Sequence, residues 1–190
     1  MQQNREEMKE NKDIQLIIIV PVYNVENYIR PCIESFFRQD LDEDIFEVII
    51  VNDGTKDRSM EMIQDIIEQH KNITIINQEN QGVSVARNNG IAAAKGEYIL
   101  MPDPDDLLIE YSLKPLLEKA IETKVDLVVA DYTVMTDEEI EFVNHYPQEQ
   151  ETKLNYTEKS GLLLFLEDLD PLQGFVWRTL YKRVFLQKNH

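Results

Sequence analysis

FEVIIVNDGT, residues 46–55, carries the pattern that decides the fold: a short apolar run, rich in β-branched residues, closed by Asn52-Asp53-Gly54-Thr55. Such a run, without clean alternation, suits a strand covered on both faces, as in a parallel sheet. Residues 16–20, 73–76, 98–101 and 127–130 repeat it. Between the runs lie stretches with helical spacing. Ile29, Ile33, Phe36 and Phe37 share one face, as do Met62, Ile63, Ile66 and Ile67. Leu113, Leu116, Leu117, Ala120 and Ile121 form a third face, with Ser112 as N-cap and Pro115 in the first turn. Residues 83–94 make a fourth, Ala-rich helix suited to close packing on a sheet. Strand then helix, four times over, predicts an α/β fold with a mainly parallel central sheet flanked by helices and right-handed crossovers.

The rhythm breaks after Asp131. Residues 136–155 are polar and acidic and read as a loop with one short strand at 141–145. Residues 160–166 read as a helix, and 176–186 as a further helix or a strand-helix piece. The chain thus divides into a disordered or frayed tail (1–13), an α/β ligand-binding domain (14–132), and the start of a second half (133–190).

At 190 residues the chain can bury one sizeable core. Lys and Arg total 19 against 36 Asp and Glu, giving a net charge of −17. A surface this acidic repels nucleic acid and anionic lipid at long range, which discounts nucleic acid as a partner but leaves room for a local phosphate pocket. The single cysteine, Cys32, allows no disulfide within the chain and fits a reducing compartment. Residues 1–13 have no apolar stretch and are not a signal peptide. The run at 16–20 is far short of the roughly 20 residues that span a bilayer, so no transmembrane segment is expected.

Function is first visible at the far end of each run. In open parallel sheets, ligands bind beyond the carboxyl ends of the strands. Here those ends carry Pro21-Val22-Tyr23-Asn24, then Asn52-Asp53-Gly54-Thr55, then Pro102-Asp103-Pro104-Asp105-Asp106, then Asp131-Tyr132. Each alone reads first as a turn. Their agreement on one edge points to a ligand crevice.

Asp103, Asp105 and Asp106 place three carboxylates within four residues. They repel one another unless a cation sits among them, and hard oxygen donors on a turn suit Mg or Mn, which usually share a site with phosphate oxygens. The competing reading is a solvated acidic turn ahead of a helix. Arg87 lies one turn into a helix opened by Gly82, where it can reach a phosphate or pair with a site carboxylate; a plain surface ion pair is the alternative. Tyr23 offers a flat ring to a nucleobase, with plain packing the alternative, and Asp53 an acceptor for a base imide N–H. His70, His145 and His190 are scattered and lack zinc-ligand spacing. No GxxxxGK[ST], GxGxxG or GxSxG motif is present.

Taken in order, IIIVPVYNVENYIRPCIESFFRQ, FEVIIVNDGTKDRS and NQGVSVARNNGIAAAKGEYILMPDPDD resemble the family 2 inverting glycosyltransferases. The resemblance runs from about Gln15 to Tyr132 and more weakly through Val176–Arg183. It implies a GT-A type nucleotide-binding fold. It implies that Pro21, Val22 and Tyr23 line the nucleobase, that Asp53 binds uracil, and that Arg87 faces the nucleotide. Asp103 and Asp105 match the ends of the Asp-x-Asp motif that binds ribose and the metal on the diphosphate, with Asp106 as a second metal carboxylate. Pro104 stands where a small or polar residue is common, and Thr55 where serine is.

The expected reaction is transfer of a sugar from a nucleoside diphosphate sugar, a uridine one by preference, to a hydroxyl of a glycan or lipid-linked acceptor, with inversion and with Mn or Mg. The expected location is cytoplasmic, including the inner membrane face. An inverting transfer needs a base, which the family places some way beyond the Trp177-Arg178-Thr179-Leu180-Tyr181 segment. That position falls past His190, so the expectation is a partial protein that keeps the donor site and lacks the base. A second reading, a non-catalytic nucleotide-sugar-binding subunit of a glycan assembly complex, shares every donor-site residue and differs only in that base. A third, an α/β interaction domain without a ligand, predicts no metal-dependent nucleotide binding.

Overall fold

The computed structural model describes residues 13–130, 132–135, 140–143 and 176–188. The expected tail up to residue 12, Asp131, most of the acidic loop and the expected helix at 160–166 lie outside them.

The predicted alternation is present. Strand β1 (Leu16–Val22) leads to helix α1 (Ile29–Phe36), and β2 (Phe46–Asn52) to a short 3-10 turn (Glu61–Ile63) and α2 (Gln64–Gln69). Next come β3 (Ile73–Asn77), α3 (Val83–Ala93), β4 (Tyr98–Leu100), α4 (Leu113–Thr123) and β5 (Leu127–Val129). A hairpin of β6 (Tyr132–Met135) and β7 (Ile140–Val143) stands apart, close to the strand expected at 141–145. Strand β8 (Thr179–Lys182) and helix α5 (Arg183–Lys188) realise the strand-helix reading of 176–186.

The six-stranded sheet has the order β3-β2-β1-β4-β8-β5. Strands β1 to β4 pair parallel. β8 runs antiparallel between β4 and β5.

Why the runs lack alternation is plain from packing. In β1, Leu16, Ile18, Val20 and Val22 face a core built with Ile29, Cys32, Ile33 and Phe36 of α1 and Leu113, Leu117 and Ala120 of α4. Ile17 and Ile19 face the opposite core, with Ile49, Val51, Ala86, Ile91 and Ala94. Both faces are therefore dry, and alternate side chains find apolar partners on opposite sides. Helix α3 lies close because position 90 is glycine: a Cβ there would overlap Ile19 Cγ2.

Two expectations are corrected. The run at 73–76 is not covered on both faces: β3 is an edge strand, with Thr74 and Ile75 exposed. Ser112 occupies the N-cap position of α4 but makes no side-chain cap. Its hydroxyl donates to the Ile109 carbonyl (2.7 Å), and Leu113 N–H donates instead to Gln39 Oε1 (3.0 Å).

Candidate functional site

Parallel pairing aligns Val22, Asn52 and Asn77 across one edge of the sheet. The turns after β1, β2, β3 and β4 therefore emerge together, as the topology of open sheets requires. Asn52 begins the stitching: its Nδ2 donates to Asn77 Oδ1 (2.9 Å) and its Oδ1 accepts from Thr55 N–H (3.0 Å).

Asp53 is buried, 2% exposed. Its Oδ1 accepts from Gln78 Nε2 (2.8 Å) and Gln81 N–H (2.8 Å), and its Oδ2 from Gly82 N–H (2.9 Å). Gly82 is the N-cap of α3 at φ 89°, a conformation that favours glycine. The approach to this helix end thus already holds a negative charge, the chain's own, where the sequence suggested a seat for a ligand anion.

Of the trio expected to line a base, Pro21 and Val22 are buried within β1, and Tyr23, 40% exposed, presents a surface. The loop after Tyr23 is tied to the β2 turn. Asn24 N–H donates to Thr55 Oγ1 (2.8 Å), Lys56 N–H to Asn24 Oδ1 (3.1 Å), and Val25 N–H to Ser59 Oγ (2.9 Å). Asp57 is the hub, accepting from Glu26 N–H (3.0 Å), Thr55 Oγ1 (2.8 Å), and the Ser59 N–H (3.0 Å) and hydroxyl (2.5 Å). Partial burial opposes its ionisation, but bonds from Ser59, Thr55 and Glu26 outweigh this and hold its carboxyl at about 2. Sequence reading missed Asp57 and Gln78. An Asp two residues before a Ser is a signal for such a local turn; Gln78 gave none.

The acidic run forms a turn closed by Asp106 N–H donating to the Asp103 carbonyl (3.1 Å). Arg87 reaches across from α3, its Nη2 paired with Asp103 Oδ1, while its Nε is buried without a hydrogen-bond partner. Burial, joined by repulsion from Asp103 and Asp105, pushes the Asp106 carboxyl up to about 6. Burial likewise raises that of Asp103, against the pull of Arg87. Beneath the turn, the buried Cys32 thiol donates to the Asp103 carbonyl (3.6 Å). Burial and the carboxylates Asp106, Asp105 and Asp103 raise its pKa, so it stays a protonated thiol rather than a nucleophile.

The donors fit a hard divalent cation. Three carboxylates adjoin in sequence and Asp105 is exposed; burial first, and the neighbouring carboxylates second, disfavour charge on Asp103 and Asp106. Among the described residues no group of three or more His, Cys, Asp or Glu is placed to hold a metal ion. The structure brings Arg87 and Asp103 together and sets Asp53 at the start of α3. Asp131, at the end of β5, lies outside the described residues.

The sequence pattern of the family described as "Glycosyl transferase family 2" matches residues 17–182. The uncharacterized glycosyltransferase EpsJ of Bacillus subtilis (strain 168) is 37% identical over 172 residues, covering 90% of this chain and 48% of EpsJ. The chain thus spans about half the length of that relative. The crystal structure of S. aureus TarS 1-349 in complex with UDP-GlcNAc superposes with a TM-score of 0.71 at 23% identity, over 93% of this chain and 47% of that one. A mannosyltransferase from Pyrobaculum calidifontis, in complex with GDP-Man and Mn2+, gives 0.57 at 24% identity over 62% and 35%. At these identities the two structures speak for the fold, which is GT-A type. The chain belongs to glycosyl transferase family 2.

Proposed function

We propose that this chain carries the donor site of an inverting, metal-assisted glycosyltransferase that uses a uridine diphosphate sugar. The observation that carries the reading is the Arg87–Asp103 pair beside Asp105 and Asp106, at the edge where Tyr23 and Asp53 also emerge. Tyr23 stacks on the base. Asp53 Oδ2 accepts one bond from the chain and keeps a second acceptor position for the uracil imide N–H. Asp103 accepts from ribose, and Asp105 and Asp106, with Asp103, would hold the cation that meets the diphosphate. A divalent Mn or Mg ion held there would neutralise charge on the departing diphosphate. Arg87 supplies a fixed positive charge on the same side.

In the transfer, an acceptor hydroxyl oxygen forms a bond to the anomeric carbon while the bond to the β-phosphate oxygen breaks on the opposite face. The hydroxyl proton passes to a base, and nucleoside diphosphate leaves. In the family that base lies beyond the segment ending at Tyr181, and we assign it to none of the described residues. The acceptor is a glycan or lipid-linked hydroxyl, reached at the cytoplasmic face of a membrane. No helix among the described residues is long and apolar enough to cross one. The TarS complex with UDP-GlcNAc, a structure of the same fold, supports the class of donor.

Titration with UDP, GDP and CDP at saturating Mn tests the base preference. The reading expects UDP to bind best and Asp53→Ala to erase the preference, losing about 1.5–3 kcal/mol for UDP. Equal loss across all three nucleotides would assign Asp53 to the fold alone.

A further inference from the structure

A line of polar groups on and just beyond α1 runs under the whole segment from Asp103 to α4. Ser35 and Gln39 are 5% and 1% exposed. Cys32 opens the line with its contact to the Asp103 carbonyl (3.6 Å). Ser35 Oγ accepts from Leu108 N–H (3.1 Å) and itself donates to the Cys32 carbonyl (2.6 Å). Gln39 bonds to both sides with one amide, its Oε1 also receiving the Ser112 hydroxyl (3.5 Å). Its Nε2 donates to the Ser35 carbonyl (2.9 Å) and the Ile109 carbonyl (3.1 Å), and its Oε1 accepts from Leu113 N–H (3.0 Å). Backbone adds a fourth tie, Tyr111 N–H to the Arg38 carbonyl (3.2 Å), with Tyr111 at φ 62°.

One side chain thereby bonds both helix ends: a carbonyl in the last turn of α1, which also accepts from Arg38 N–H (3.3 Å), and the first N–H of α4. Such bonds are of little consequence on a surface. In a dry site each orphaned partner is costly, so the bonds fix the backbone that carries them. The segment they fix comes directly after Asp105 and Asp106 in the chain.

We propose that Ser35 and Gln39 are positioning residues for the acidic run, acting as a splint between α1 and α4 that sets the backbone of residues 103–113 and so the aim of its carboxylates. The proposal rests on the reading of those carboxylates as cation ligands. Their action is through the backbone; neither touches donor or metal. The splint is separate from the Asp57 hub, which ties the β1 and β2 turns, and the two should fail independently.

Ser35→Ala and Gln39→Met, the first being the gentler change, test it in the full chain by two readouts. The first is amide hydrogen exchange without ligand. Faster exchange within residues 103–113, with residues 53–59 unchanged, is expected; unchanged exchange in 103–113, or equal acceleration in both, overturns the splint. The second is the Mn concentration giving half-maximal UDP binding. It should rise roughly tenfold, as when groups orienting metal ligands are lost, while UDP affinity at saturating Mn changes far less. Parallel loss of both affinities marks a merely structural role. Wild-type chain that binds UDP equally with Mn and with chelator would sink the cation reading itself, and the exchange result would still decide the splint.

Discussion

Arg87 of α3 and Asp103 of the turn after β4 are joined, the guanidinium Nη2 donating to Asp103 Oδ1. The pair links α3, whose N-cap Gly82 donates to Asp53, to the carboxylates that would hold a cation. The half-buried Asp103 would otherwise stand unpaired beside two more negative charges. Arg87→Met is expected to cost about 1–3 kcal/mol of stability through that orphaned carboxylate and to weaken UDP binding. Arg87→Lys restores charge without the planar fork, so it should recover part of each loss. Thermal melts and calorimetry check this; UDP affinity unchanged in Arg87→Met would remove Arg87 from the site.

Burial, joined by repulsion from Asp103 and Asp105, disfavours the charged form of Asp106. Its folded carboxyl, at about 6, lies above the ordinary 3.8, so the folded state holds the proton more tightly than the unfolded one. Its contribution to stability therefore falls as pH rises from about 4 to about 6 and stays low above. Asp106→Asn should raise the melting temperature without metal at neutral pH, with a smaller gain near pH 4, and should lower the further gain from Mn. No gain at neutral pH would contradict this reading of Asp106.

Asp57 has the opposite sign. Its carboxyl sits near 2, below the ordinary 3.8. The stability it supplies is present above pH 3.8 and is lost as pH falls toward about 2. Asp57→Ala leaves the donors on Glu26, Thr55 and Ser59 without their acceptor, an expected loss of about 1–3 kcal/mol. Acid unfolding curves should show wild type falling toward the variant in that window. Parallel curves would refute the assignment.

Gly90→Ala tests the packing that sets α3, and with it Arg87, against the sheet. The added Cβ would overlap Ile19 Cγ2. Overpacking of this kind costs about 1–3 kcal/mol, measurable by denaturant unfolding; a neutral result would mean α3 shifts freely.

The parts of this fold legible in the sequence were those whose chemistry is local. Apolar runs such as Ile17-Ile18-Ile19 announced strands covered on both sides because adjacent residues do enter separate cores. The acidic run and the polar turns declared one edge. What escaped depended on partners distant in the chain. Nothing in the run at 73–76 says that β3 is an edge, and nothing near Thr179 says that β8 enters between β4 and β5. Ser112 looked like a cap because the local rule is sound, yet Gln39, 74 positions from Leu113, took the bond. The three bonds to the Asp53 carboxylate likewise come from residues at least 25 positions away.

The most direct test of the central claim is a calorimetric titration of the chain with UDP, in Mn and in chelator, repeated with Asp105→Ala. Asp105 is exposed, so its loss should leave the melting temperature close to wild type. The account predicts saturable UDP binding in Mn, much weaker binding in chelator, and no Mn dependence in the variant. UDP binding by Asp105→Ala that responds to Mn as the wild type does would contradict it.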